Sequence, residues 1–171
     1  MRKSILTLFV LIALLAPSAH AEPAATPKAL AERYAQALPT ANTNLAASCL
    51  LPLEAYRSTV FDPDGKATPE LIKQYHAKYI RKRLRDVAGF KEEVAELGLD
   101  PEIILKVSVQ VNPPKKNHKD PQVLFWFHSG QDRWKCEIEG CFEHDGGWYL
   151  YDIHWLGKDN GPQNKEPEAT R

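Results

Sequence analysis

The chain divides by the period of its apolar positions. Residues 5–15, ILTLFVLIALL, form an apolar run of eleven broken only by Thr7. From 27 to about 97 apolar residues recur at three- and four-residue spacing, and from 103 to 156 they alternate with polar ones. A helical period followed by a strand period predicts an α+β fold, with three N-terminal helices packed on a curved, four-stranded, mostly antiparallel sheet.

Each helix has a start signal. Thr26-Pro27 sets a capping hydroxyl before a proline at the first helical position, and Leu30, Tyr34 and Leu38 then form one stripe. Residues 42–56 predict a second, weaker helix disturbed by Pro52, and Asp62-Pro63-Asp64-Gly65 predicts a turn. Thr68-Pro69-Glu70 opens a long third helix that ends near Leu97, before Gly98, with Gly89 as a candidate kink.

The first strand, 103–111, carries Ile103, Leu105, Val107, Val109 and Val111 on one face. Strands at 122–128, 133–144 and 148–156 follow, joined by turns at Gly130-Gln131 and Gly146-Gly147. Those turns pair Val123 with Ile138, Phe125 with Cys136 and Phe127 with Trp134. They also pair Phe142 with Tyr151, Gly140 with Ile153 and Ile138 with Trp155. All these residues share one apolar face, which the helices must cover; a slip of one residue would turn it to solvent. The other face carries Glu137, Glu139, Cys141, Glu143, Asp152 and His154, with Glu139 expected opposite His154 and Cys141 opposite Asp152. Leu124, Trp126, Trp148 and Leu150 point the same way. They are expected to form an interface for a second copy or an envelope protein.

The first 21 residues read as an address. Arg2 and Lys3 precede the apolar run, and Ala19-His20-Ala21 offers a small-x-small cleavage site, the pattern of a signal peptide. Eleven apolar residues are too few to span a bilayer, which takes ~20, and no stable membrane anchor is expected after cleavage. The expected location is the periplasm or the exterior. The expected organisation is signal peptide 1–21, short linker 22–26, a single domain 27–157 and a disordered tail 158–171.

Charge and cysteines narrow the function. With 22 basic and 22 acidic residues, the chain lacks the basic excess of a nucleic-acid binder, and no nucleic acid is expected. An oxidising compartment favours one disulfide among Cys49, Cys136 and Cys141. In a straight strand Cys136 and Cys141 point to opposite faces, though a bulge at Gly140 would bring them together. The register turns Cys136 toward the helical layer that holds Cys49, so Cys49–Cys136 is the preferred bridge.

On the long helix, Ile72, Tyr75, Tyr79, Val87 and Phe90 gather on one side, and Lys78, Arg81, Lys82 and Arg85 on the other. His76 and Arg83 fall within the apolar stripe. The expected ligand-binding set is therefore Tyr75, His76, Tyr79 and Arg83, with Arg83 holding an anionic group. The basic cluster reads as a solvated face.

Three helices, then a four-stranded meander ending in HDGGWYLYDIHW, resemble the nuclear transport factor 2-like superfamily over residues 27–156. The Gly146–Ile153 stretch is similar to the family's terminal strand. The resemblance implies a cone enclosing a pocket. Its members include isomerases, dehydratases and secreted non-catalytic binding domains, and many dimerise through the sheet. A binding module that takes a small apolar or anionic ligand is the leading expectation. The alternative is a pocket acid–base enzyme using Asp152 and His154 with Glu139, since a carboxylate positions an imidazole for proton transfer. The chain contains no H-E-x-x-H motif, phosphate-binding loop, G-x-S-x-G elbow or dinucleotide fingerprint. No metal and no cofactor is expected.

Overall fold

Thr26 caps α1 (Pro27–Ala37), its hydroxyl accepting the Ala29 N–H at 3.1 Å. This computed structural model describes residues 22–98, 106–114, 120–129 and 132–159. The expected second helix is broken: α2 (Thr43–Ala47) stops before Pro52, α3 (Leu53–Tyr56) starts after it, and a π-helical turn spans Arg57–Phe61. Proline lacks the N–H that would have continued the ladder. Asp62 then fastens the turn, its carboxylate accepting the N–H groups of Lys66 and Ala67. Thr68 caps α4 (Pro69–Glu96), which runs unbroken through Gly89 and ends before Gly98 at φ +79°.

Four antiparallel strands follow in spatial order β1-β2-β3-β4: β1 (Lys106–Asn112), β2 (Gln122–Ser129), β3 (Asp132–His144) and β4 (Gly147–Lys158). The α+β arrangement is as the periodicity predicts. Residues 103–105 of the expected first strand lie outside the described residues, as do 1–21 and 160–171. The strand pattern persists beyond the expected domain end: β4 includes Lys158, and the Asp159 N–H donates to the Arg133 carbonyl.

The β2–β3 register is the expected one, with Val123 opposite Ile138, Phe125 opposite Cys136 and Phe127 opposite Trp134. The β3–β4 register differs by two residues. The hairpin closes at Asp145-Gly146, with φ of +50° and +75°, not at Gly146-Gly147. Two positive φ values are the signature of the hairpin turn that matches strand twist, and Asp-Gly is a preferred pair for it. Phe142 therefore faces Tyr149, Ile138 faces Ile153 and Cys136 faces Trp155. A shift of two preserves the parity of the pairing. The alternation breaks at Gly140, however, and three residues expected on the face away from the helices lie elsewhere. Cys141 and Leu150 are buried in the core, and Asp152 pairs with Arg83 of α4.

The helix side of the sheet holds the core. Leu30, Tyr34, Leu38, Val87, Phe90, Val94, Val123, Phe125, Phe127 and Cys136 are all essentially inaccessible. Phe90 stacks on Trp155 at 5.5 Å between ring centres and tilts against Phe127 at 5.2 Å. The outer edge of β4 is covered by chain from the N-terminal half: Ala24 pairs with Trp148 and Leu50 with Leu150.

The cysteines are not bridged; all three are free and buried, so the expected Cys49–Cys136 disulfide is not present. The covered edge explains why. The Cys49 carbonyl accepts the Leu150 N–H, which ties Cys49 to that point of β4, whereas Cys136 lies opposite Trp155. Five strand residues separate the two points, ~16 Å, well beyond the ~7 Å that a bridge tolerates between Cα atoms.

Candidate functional site

The four residues expected to line a helix–sheet pocket are mostly committed to the chain itself. The Tyr79 hydroxyl donates to the Leu150 carbonyl at 2.8 Å and accepts the Leu51 N–H at 3.1 Å. His76 Nε2 donates to the Leu51 carbonyl at 2.9 Å. Around them Tyr56 stacks on Tyr79 at 5.1 Å, and Tyr79 stacks on Tyr151 at 5.5 Å. Tyr79 is thus held within a cluster of aromatic rings. Burial raises the Tyr79 hydroxyl well above the ordinary tyrosine value, so it stays protonated as a donor. Tyr75, expected on the side opposite the basic residues, is instead 43% exposed, against Phe61, and lies in line with Lys78 and Lys82.

Arg83 is the member of the set nearest to chemistry. It is only 6% exposed and reaches from α4 to pair with Asp152 on β4 and, at 3.4 Å, with Asp86 one turn along its own helix. Its Nε has no partner among the described residues. Asp152 also accepts the neighbouring Ile153 N–H at 2.7 Å. Arg83, Asp86 and Asp152 border a cleft of about 270 Å³ between α4 and β4, with Phe90, Glu93 and His154.

The other side of His154 opens onto a larger groove of about 500 Å³. Asp120, Glu137, Glu139 and His154 supply its polar wall, and Pro121, Ile138, Trp155 and Leu156 its apolar part. The strand register builds this wall. Glu137 lies directly opposite His154 and Glu139 opposite Asp152, so the expected Glu139–His154 contact forms on the diagonal. His154 Nε2 donates to Glu139 Oε2 at 2.5 Å, with both side chains more than half exposed. Glu137 is oriented by Gln122, whose side-chain amide donates to it at 2.7 Å. At the end of the groove Leu156 is extra in β4: Trp155 and Gly157 face the consecutive residues Cys136 and Lys135. Such a bulge re-aims the side chains around it.

Donor atoms of Glu139, Asp152 and His154 lie within 4.8 Å of one another. The set has metal-ligand chemistry, but Asp152 already neutralises Arg83. A cation bound there would compete with a buried guanidinium for the same carboxylate.

The apolar residues expected to form an exposed interface are covered. Leu124 and Trp126 are 6% and 8% exposed, Leu150 is inaccessible and Trp148 is half-buried. The Trp126 ring lies beneath the Arg133 guanidinium, 5.2 Å from its centre, and its indole N–H donates to Asp159. The Trp148 N–H donates to the Ala24 carbonyl at 2.8 Å.

Comparison of the chain with protein-family models, with curated proteins and with solved structures gives no match. The argument for function therefore rests on the site. The sequence pattern places Glu137, Glu139 and His154 on one sheet face. It carries no signal for Asp120 and Pro121, which reach the groove from the β1–β2 connection, or for the Arg83–Asp152 pair, which joins elements about 70 residues apart.

Proposed function

We propose that this chain is an exported, non-catalytic binding module whose ligand seat is the groove beside His154. The ligand is a small molecule with an apolar body and a cationic head. The observation that carries the reading is the lining: carboxylates of Asp120, Glu137 and Glu139 beside Pro121, Ile138, Trp155 and Leu156 in about 500 Å³. Ligand sites usually span ~300–1,000 Å³ and combine apolar walls with a few placed polar groups. This revises the expected anionic ligand, because the groove wall is acidic and Arg83 is taken by Asp86 and Asp152. The signal-peptide pattern of residues 1–21 supports export. The order of helices followed by an antiparallel meander supports the nuclear transport factor 2-like reading.

Native mass spectrometry and calorimetric titration with hydrophobic amines test the proposal. Binding weakened at least about tenfold by Glu139→Gln, as expected for loss of a charged partner, supports it. Binding unchanged by both Glu137→Gln and Glu139→Gln, or a retained anionic adduct, overturns it.

A second reading has its own support. The 2.5 Å contact positions His154 as Glu139 would position a general base, on a side chain substrate can reach. Turnover of a ligand identified in the groove, abolished by His154→Gln with its binding intact, would replace the binding module with an acid–base enzyme.

A further inference from the structure

The exposed side of α4 carries a charge pattern that the groove does not explain. At about 100° per residue, Leu71, Tyr75, Lys78, Lys82 and Arg85 fall within roughly 40° of a common line, with Arg81 beside it. The stripe is about 21 Å long at the usual helical rise. All six residues are exposed, Leu71 by 40% and Tyr75 by 43%. Lys78, Arg81, Lys82 and Arg85 have no ion-pair partner among the described residues.

Helix stability does not account for these cations. Lys78 with Lys82, and Arg81 with Arg85, are like charges four residues apart, an arrangement that weakens a helix. They do not answer the helix dipole either: they lie mid-helix, and the final turns carry Glu92, Glu93 and Glu96 with no basic residue in the last one. In a chain with equal numbers of acids and bases, four cations on one helix face with no ion-pair partner among the described residues are a local concentration of charge.

We infer that this face of α4 docks on an anionic lipid surface. Lys78, Arg81, Lys82 and Arg85 meet the headgroup phosphates, and Leu71 and Tyr75 enter the interfacial layer. The two exposed apolar residues in line with the cations favour lipid over nucleic acid or an acidic polysaccharide. Tyrosine and leucine gain from the boundary between headgroups and acyl chains, whereas a phosphate backbone in water has no place for Leu71. A straight row also suits a flat surface. Attraction to a charged leaflet acts within about 10 Å, so the charge of the facing helix matters more than that of the whole chain.

Co-sedimentation of the full chain with vesicles tests this. One set is phosphatidylcholine alone, and the other is phosphatidylcholine mixed with phosphatidylglycerol. Wild type is compared with the combined variant Lys78→Gln, Arg81→Gln, Lys82→Gln, Arg85→Gln. Both proteins carry residues 1–21, so any binding through the apolar run at 5–15 is common to them. The expected result is a preference for anionic vesicles that collapses in concentrated salt. In the variant it falls by on the order of a hundredfold to a thousandfold, the usual share of four surface cations. Leu71→Ser with Tyr75→Ser should lower anionic binding by a further, smaller factor of about ten.

Equal binding of wild type to both vesicle types overturns the inference, as does a variant that keeps its anionic preference. So does a wild type that binds DNA or heparin as tightly as anionic vesicles, with no loss on changing Leu71 and Tyr75. The substituted residues are solvent-exposed, and circular dichroism checks the fold; if the fourfold variant unfolds, the two double variants (78 with 82, 81 with 85) serve instead.

Discussion

Tyr79 donates its hydroxyl hydrogen to the Leu150 carbonyl at 2.8 Å, across 71 residues of sequence. The bond joins the middle of α4 to the outer edge of β4, and the same oxygen accepts the Leu51 N–H. Tyr79→Phe keeps the ring stacked on Tyr56 and Tyr151 but strands a buried donor and a buried acceptor. The expected loss is about 2–4 kcal/mol, seen as a fall in Tm of roughly 2–4 °C per kcal/mol. A Tm unchanged within a degree would show that the hydroxyl does not join the two elements.

The Arg83–Asp152 pair should behave quite differently from the Glu139–His154 pair. Arg83 is buried, so Asp152→Asn leaves its charge with Asp86 alone and should cost several kcal/mol, on the order of 3. Combining Asp152→Asn with Arg83→Met should restore part of that loss, because the uncompensated charge is gone. The exposed pair should contribute only ~0.5 kcal/mol, and Glu139→Gln should leave the denaturation midpoint almost unmoved. Denaturant titration of the three variants measures both; equal losses at the two pairs would contradict the burial argument.

The thiols set a direction for alkaline stability. Burial pushes Cys49 up to about 11 and Cys141 up to about 12, from an ordinary value near 9, and it raises Cys136 as well. A raised folded-state value means the folded chain holds protons that the unfolded chain has released. The stabilisation is complete below pH 9 and is lost as pH climbs through 11 and 12. Unfolding free energy should therefore be level near neutrality and fall above pH 9, with a shallower fall in Cys49→Ala with Cys141→Ala. At neutral pH a thiol reagent should modify the folded protein no faster than it unfolds.

Gly140 tests the curvature of β3. Its φ is +66°, and a Cβ there would lie 2.6 Å from a Phe142 ring carbon and 3.1 Å from the Tyr151 Cβ. Gly140→Ala should cost about 1–3 kcal/mol through the left-handed backbone and the displaced ring. Thermal unfolding reads the loss, and an alanine variant as stable as wild type would contradict it.

Local rules carried the fold a long way. Thr26 and Thr68 marked helix starts because a cap and a proline act within one turn, and alternation marked the strands because the pleat has period two. The β2–β3 register was legible from a two-residue connection. The β3–β4 register was not fully so, since Asp145-Gly146 and Gly146-Gly147 both satisfy the turn, and backbone twist decides between them. The site was legible in half. Glu137, Glu139 and His154 share a face by parity alone, while Arg83 meets Asp152 only because α4 passes beside β4. Cys49 was misjudged for a related reason: its place depends on how the segment after α2 docks along β4, and no spacing within that segment encodes it.

The covering of β4 by Ala24 and Leu50 closes the first part of that edge to growth. A strand from another chain cannot be added beside Trp148 or Leu150, whose outward amides already donate to Ala24 and Cys49. Among the described residues β1 is the other terminal strand, with Val111 exposed along it. An assembly that extends this sheet must therefore begin at β1 or at the part of β4 beyond Leu150.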